Sequence, residues 1–568
     1  MYTLGINAAY HDPAACLVND GVVVAAAEEE RFTRVKHGKR PIPFSTYLLP
    51  HHAIDYCLKE AGILLKEIDH AAYSFDPFQL LGKHSSEQEI RLPLEPSAHP
   101  TPEEWESAWD PLFLSSIVNA PRQLMDGAPH HIKARFQGAR ENGHYHFEWH
   151  FVDHHLSHAA SAFLPSPFME AAILTIDGRG ERATTTYYHG SGNLLENIGQ
   201  VNFPHSLGML YEKVTEYLGF LHSSDEYKVM ALASFGKPEY LTVFKNIVQT
   251  GEGGDYTIEP FDLVELFGAA RKKGEPFEKR HYDIAHSLQV VLEKTVLQLI
   301  AWLYEETSSE NLCMAGGVAL NCVMNSRLRD QGPFKNIWVQ PAAGDAGTAL
   351  GAAMIIDARE RSTDQRIYCM EHAFLGPGYS DQEIEGFLKW SKLEYQKVEH
   401  PAEAGADLLA QNKVIGWFQG RLEYGPRALG ARSILASPIQ AEMQERLNEI
   451  KDREDFRPVA PVVLEEEASN WFVDAGRSPF MLFVYDVQPE KASQIPAVRH
   501  VDGTARIQTI KRDKNPVYYD LLEAFYRRTG VPVLVNTSFN TRGEPIVNTP
   551  RDAIECFWTS PLDALIIG

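Results

Sequence analysis

Three imidazoles fall within five residues in the stretch DHHLSHAASAF at 153–163: His154, His155 and His158. A neutral imidazole nitrogen can hold a divalent transition metal or take a proton near neutral pH. Asp153 suits a helix N-cap, and Ala159, Ala160 and Ala162 suit a helix body. In that helix His154 and His158 share a face at i and i+4, and His155 and His158 are neighbours at i and i+3. With 23 histidines in 568 residues, roughly one HxxxH pair arises by chance. The pair therefore needs further ligands before it means a metal. Upstream, HYHFEWHFV (144–152) alternates Tyr145, Phe147, Trp149 and Phe151 with His144, His146, Glu148 and His150, the period of a strand. Four residues of strand span about 13 Å, so His146 and His150 are not expected to share an ion.

Oxygen ligands are available elsewhere. Asp177 ends the apolar run ILTIDG, and Asp345 sits in the glycine loop AAGDAGTALG. Two imidazoles with two carboxylates suit Fe(II), Mn(II) or Zn(II) better than a thiolate-type structural site. Turn capping accounts for the two aspartates equally well. His11, beside Asp12 in AAYHDPAA, is placed to take a proton from a hydroxyl, or to serve as a hydrogen-bonded loop histidine. Gly316, Gly317 and Asn321 in AGGVALN would let backbone approach a nucleotide, although glycine turns before helices are common. In the C-terminal third, Arg421, Arg427 and Arg432 stand among glycines, and Lys451, Arg453 and Arg457 precede an apolar strand. Such placements suit bound oxyanions, because arginine forks match phosphate oxygens. Structural ion pairs are the other reading.

The elements that must position these groups show a repeat. TLGINAAYHDPAACLVNDGVVVAAAEEERF reads strand, loop, strand, NDG turn, strand, and the same plan returns from 171 in AAILTIDGRGERATTTYYHGSGNLLENIGQV. Two such beginnings suggest a duplicated actin- and sugar-kinase-like α/β fold with nucleotide between its halves. After 282 the spacing turns helical, and two strand–glycine loop–helix passages follow. A polar, aperiodic stretch at 357–372 divides a domain at 1–358 from one at 373–568. Residues 77–143, rich in Pro, His and Glu, read as an insertion in the first.

The chain's 568 residues carry a net charge of −23 and are 44% hydrophobic. That speaks against nucleic acid or an anionic membrane as main partner. Six scattered cysteines without a CxxC fit a reducing compartment. The start MYTLGINAAYHD has no signal-peptide pattern, and no apolar run approaches a membrane span. A cytoplasmic location is expected.

Taken together, EEERFTRVKH, DHHLSHAASAF, ILTIDGRGE, DEYKVMALASFG, AGGVALN, AAGDAGTALGAA, GRLEYGPRALGARSI, IKDREDFRPVAP, DGTARIQTI and NTSFNTRGEPIV run in consistent order along the chain. The sequence resembles the NodU/CmcH carbamoyltransferase family. ALASFG stands where GLASYG is more usual, a mild change that leaves the motif intact. The resemblance implies an actin/sugar-kinase-like (ASKHA) metal- and nucleotide-binding domain joined to a YrdC-like α/β domain. The YrdC-like part would convert carbamoyl phosphate and ATP, with Mg(II), to carbamoyl adenylate. The first domain would pass the carbamoyl group to a hydroxyl of a small-molecule acceptor, a natural product or sugar. It further implies Fe(II) or a similar ion on His154, His158, Asp177 and Asp345, with His155 as a bystander or supporting group. His11 would be the base and Lys36 would line the transfer site. Arg427, Lys451 and Arg457 would hold carbamoyl phosphate or ATP phosphates, with Asn536 and Ser538 nearby. A homodimer is one option for its assembly. Three rivals remain: a tRNA threonylcarbamoyl-type transferase, a non-catalytic nucleotide- and metal-binding protein, and a metallopeptidase. The last lacks the HExxH glutamate, since position 155 is His.

Overall fold

Short apolar runs separated by turn residues become two sheets of the same plan. In this computed structural model the described residues are 1–38, 49–81, 110–126, 140–141, 144–361, 365–541 and 543–568. Much of the 77–143 insertion expected from sequence lies outside them. Strands β1 (Tyr2–Asn7), β2 (Ala14–Asn19) and β3 (Val22–Glu28) form an antiparallel meander. Its NDG turn works because Asp20 and Gly21 both take positive φ, 47° and 86°, the backbone twist a two-residue hairpin needs. Next come β4 (His70–Tyr73), parallel to β1, and β5 (Glu148–Phe151), parallel to β4. The order is β3-β2-β1-β4-β5.

The repeat begins at β6 (Glu170–Ile176), β7 (Ala183–Ser191) and β8 (Leu194–Asn202), again an antiparallel meander, and β9 (Asn311–Ala315) runs parallel to β6. The order β8-β7-β6-β9 repeats the first sheet's β3-β2-β1-β4, so the duplication legible in the sequence is a duplication of topology. The expected strand over 144–152 forms only in pieces, His144–Tyr145 and Glu148–Phe151, because the chain bends at 146–147 and turns Phe147 into the core.

Two helices position three of the four candidate ligands: α1 (His154–Phe163), which carries His154 and His158, and α2 (Ala346–Glu360), whose N-cap is Asp345. They pack at backbone contact. A Cβ at Gly351 of α2 would lie 1.8 Å from the Ser157 carbonyl oxygen of α1, and one at Gly5 of β1 would lie 1.9 Å from the Ala349 carbonyl oxygen of α2. Only glycine allows either approach.

By contacts the chain divides into two units. One comprises Met1–Phe203, Asn311–Gly317 and Ala342–Cys369; the other comprises Pro204–Glu310, Val318–Pro341 and Met370–Gly568. The second holds the helix Lys279–Thr307, whose buried Ile284, Leu288, Val291, Leu292, Val296 and Leu299 recur at helical spacing. It also holds a mixed sheet of β10 (Ile415–Phe418), β11 (Arg432–Ala436), β12 (Ala460–Leu464), β13 (Gln508–Ile510), β14 (Val533–Ser538) and β15 (Ala564–Ile567). Its order is β13-β12-β14-β11-β10-β15. The fold is α/β. All six cysteines are thiols, none of them in a disulfide. Among the described residues no helix is long and apolar enough to cross a membrane.

Candidate metal centre and oxyanion site

Asp153 caps α1 as its sequence suggests, its Oδ1 accepting the Leu156 N–H at 2.8 Å. That start turns His154 and His158 to one face, their ring centroids 4.6 Å apart. Asp177 follows β6 in the first strand-end loop of the repeat, and Asp345 opens α2. The four side chains converge. His154 Nε2 lies 3.4 Å from Asp177 Oδ2 and 3.7 Å from Asp345 Oδ1, while His158 Nε2 lies 3.8 Å and 3.6 Å from the same atoms. One ligand atom from each residue falls within 4.8 Å of the others, and all four residues are buried.

The donors fit a divalent cation. Both ring nitrogens of His158 and the Oδ1 of Asp345 are sealed from solvent and make no hydrogen bond, an expensive condition unless an ion takes them. Burial opposes a charge on His154, but Asp345 and Asp177 outweigh it and raise this imidazole to about 10. Burial would likewise raise Asp177, yet the two histidines hold it well below the carboxylate range. Two carboxylates facing two imidazoles thus demand positive charge, and a proton or a metal supplies it. The surroundings fix the ligands. Asp177 Oδ1 accepts the Gly317 N–H at 2.7 Å, and the Ser74 carbonyl lies 3.3 Å from His154 Nδ1. A Cβ at Gly316 (φ 92°) would lie 2.1 Å from the Ile176 carbonyl oxygen, so this glycine lets the loop close on Asp177. His155 points elsewhere: its Nδ1 meets Thr175 Oγ1 at 2.6 Å, and burial with the neighbouring His154 pushes it down to about 3. It is a neutral supporting group.

His11 reaches this cluster. Its Nδ1 lies 3.1 Å from Asp12 Oδ2 and 3.5 Å from Asp345 Oδ2. Asp12, at φ 48°, is also held by His37 Nδ1 at 2.8 Å. Lys36 is half-buried and opens the short 3-10 turn Lys36–Gly38 that carries His37. Glu181 was not singled out by sequence, yet it receives the backbone N–H groups of Asp76 (2.6 Å) and His154 (3.1 Å). Burial and the nearby Asp153 raise it to about 8.

In the second unit, Arg506 acts as a like charge on both Arg427 and Arg453, and Arg457 acts on Arg453, with Glu454 as an acid beside Arg453 and Arg457. Arg427 is pushed down to about 9 by burial and by Arg506; Arg453 also falls to about 9 through burial, Arg457 and Arg506. Each keeps a buried nitrogen without a hydrogen-bond partner, Nε of Arg427 and Nη2 of Arg453. Mutually repelling guanidinium groups with unspent donors have the chemistry to receive an oxyanion. Arg457 stacks 4.7 Å above the Tyr227 ring, with Glu454 at 3.7 Å. Lys451 is turned onto the end of β14, its ammonium donating to the Ser538 carbonyl, to Ser538 Oγ at 3.3 Å and to Asn540 Oδ1 at 2.7 Å. Asn536 donates to Gln508 Oε1 at 2.8 Å and to the Ala428 carbonyl at 3.2 Å. Asn321 caps the helix Cys322–Gln331 and pairs with Gln289. Two arginines grouped with these in sequence have other work. Arg421 and the fully buried Arg432 donate to the carbonyls of Leu375 and Gly376, and of Pro377, Gln419 and Ala431. Arg506 was visible only as part of DGTARIQTI.

Comparison with known proteins matches residues 2–354 to the carbamoyltransferase N-terminus and residues 406–568 to the carbamoyltransferase C-terminus. The chain belongs to the carbamoyltransferase family. It is 42% identical to an uncharacterised protein of Synechocystis sp., over 100% of this chain and 95% of that protein. It is 39% identical to nodulation protein NolNO of Sinorhizobium fredii, over 99% of this chain and 79% of that protein. Nodulation protein U of Rhizobium fredii is 32% identical over 72% and 73%. Among solved structures, HypF of T.kodakarensis covers 64% of this chain and 49% of its own at 14% identity and a TM-score of 0.33, a score that carries no argument here.

Proposed function

We propose that the protein is an ATP-dependent O-carbamoyltransferase acting in two steps. Carbamoyl phosphate and ATP with Mg(II) give carbamoyl adenylate in the C-terminal, YrdC-like part. The carbamoyl group then passes to a hydroxyl of a small natural product or sugar in the actin/sugar-kinase-like part. The observation that carries this reading is the pairing of a buried His2Asp2 set with His11 at its edge, alongside a separate arginine cluster, in a chain of this family.

The residues divide the chemistry. Arg427, Arg453, Arg457 and Arg506 offer guanidinium donors for the phosphate oxygens of carbamoyl phosphate and ATP, and Lys451 adds an ammonium beside Ser538. Carbamate carbon is a poor electrophile because its oxygens share negative charge, and joining it to AMP provides a leaving group. His154, His158, Asp177 and Asp345 would hold Fe(II) or a similar ion, which when bound polarises the carbonyl of the adenylate. His11 takes the proton of the acceptor hydroxyl, and Asp12 and Asp345 beside its Nδ1 stabilise the imidazolium that forms. Glu181 holds the start of α1 and so the aim of His154. A cytoplasmic location, with neither nucleic acid nor a membrane surface as partner, suits a chain of net charge −23 whose cysteines form no disulfide.

The test is transfer itself. With labelled carbamoyl phosphate, ATP and Mg(II), the metal-loaded protein should label one member of a panel of hydroxylated natural products and oligosaccharides. His11→Ala should abolish that labelling and leave pyrophosphate release intact. Labelling by His11→Ala at the native rate would overturn the assignment of the base.

A further inference from the structure

The alternating stretch before α1 leaves two groups that the transfer chemistry does not use, Glu148 and His150 on one face of β5. Sequence spacing excludes His146 as a partner for His150, and the structure supplies another from the neighbouring strand. β4 and β5 run parallel with His70 opposite Glu148 and Ala72 opposite His150. His70 Nδ1 lies 3.1 Å from His150 Nε2, and one ligand atom from each of His70, Glu148 and His150 lies within 4.8 Å of the other two. We propose that His70, Glu148 and His150 form a second divalent transition-metal site, for zinc or a like ion, at the edge of the first sheet.

Geometry and charge both favour an ion. Two imidazole nitrogens bound to one zinc at about 2.0–2.1 Å stand about 2.9 Å apart at a right angle and about 3.3–3.4 Å apart at the tetrahedral angle, so the observed 3.1 Å falls inside that span. Glu148 beside the two imidazoles supplies a negative charge that favours a cation there. Glu360 of α2 also acts on His150 and favours a cation there, while Arg359 opposes one. Two imidazoles and one carboxylate leave a position for water, a set that suits zinc. None of the three residues belongs to the His154 cluster. The ion would tie β4 to β5, and β5 runs within two residues into Asp153, the cap of the helix that carries His154 and His158.

The experiment uses the full chain stripped of metal and titrated with zinc against a chelating dye. The His154→Ala/His158→Ala variant removes the central site. It should still bind about one tight equivalent and gain thermal stability with zinc. Adding His70→Ala and His150→Ala should remove that equivalent and that gain. Glu148→Gln in the same background is a mild change at an exposed side chain, and should weaken zinc several-fold without unfolding the protein. No tight zinc in His154→Ala/His158→Ala, or equal zinc affinity with and without Glu148→Gln, would overturn the proposal and leave a hydrogen bond between two neutral imidazoles.

Discussion

His158 Nε2 lies 3.6 Å from Asp345 Oδ1, and neither atom, both sealed from solvent, makes a hydrogen bond. Such a pair is stable only if something charged sits with it. His158→Ala should therefore lose the bound metal, measured by elemental analysis of the purified protein. Carbamoyl transfer should fall by roughly 100-fold or more, the usual scale for removing one electrostatic stabiliser. Retention of a full metal equivalent on His154, Asp177 and Asp345 would contradict the four-ligand set.

Close packing of α2 on α1 gives a second expectation. A Cβ at Gly351 would meet the Ser157 carbonyl at 1.8 Å. Gly351→Ala should cost about 1–3 kcal/mol or more in denaturant unfolding. Because Asp345 is the N-cap of α2 and α1 carries the histidines, it should also weaken metal binding. Gly386, in the helix Asp381–Ser391, has nothing within 4 Å of its Cβ position. Gly386→Ala should stabilise by up to about 1 kcal/mol and leave metal binding unchanged.

Acid should reveal a buried histidine. His51 opens the helix His51–Ala61, and burial with the adjacent His52 depresses it from 6.5 to about 4. A base depressed in the folded state gives stability that is complete above pH 6.5 and is lost as pH falls through about 4. The loss amounts to at most about 3 kcal/mol. His51→Gln should flatten this part of the pH–stability curve, followed by chemical denaturation between the two values.

Arg506 lies among the charges that destabilise Arg427 and Arg453. Arg506→Ala should raise KM for carbamoyl phosphate or ATP about tenfold or more, the worth of one charge-assisted hydrogen bond. It should leave the thermal midpoint unchanged or higher, since a repelling charge is gone. Arg432→Ala should do the reverse and unfold the chain readily, because its donors satisfy the carbonyls of Pro377, Gln419 and Ala431.

The duplicated meander was legible because strand period and turn residues are local: Asp20 and Gly21 announce their turn without help from the rest of the chain. The Asp153 cap and the shared face of His154 and His158 were legible for the same reason. What sequence could not supply was proximity. Nothing local distinguishes Arg427 from Arg432, yet Arg427 donates to one carbonyl, that of Leu320, and feels the like charge of Arg506, while Arg432 donates to three carbonyls and faces Glu423. Glu181, Arg506 and the cross-strand pair His70 and His150 depend on residues up to 105 positions away. The division by contacts, which sets 204–310 with 370–568, is likewise a product of long-range packing.

The central claim is the formation of carbamoyl adenylate. The metal-loaded protein would be incubated with ATP, Mg(II) and carbamoyl phosphate, without acceptor. The products would be read by mass spectrometry alongside pyrophosphate release. The account predicts carbamoylated AMP from the native protein and none from Lys451→Ala. A folded, metal-loaded native protein that releases no pyrophosphate and yields no carbamoylated nucleotide would contradict it.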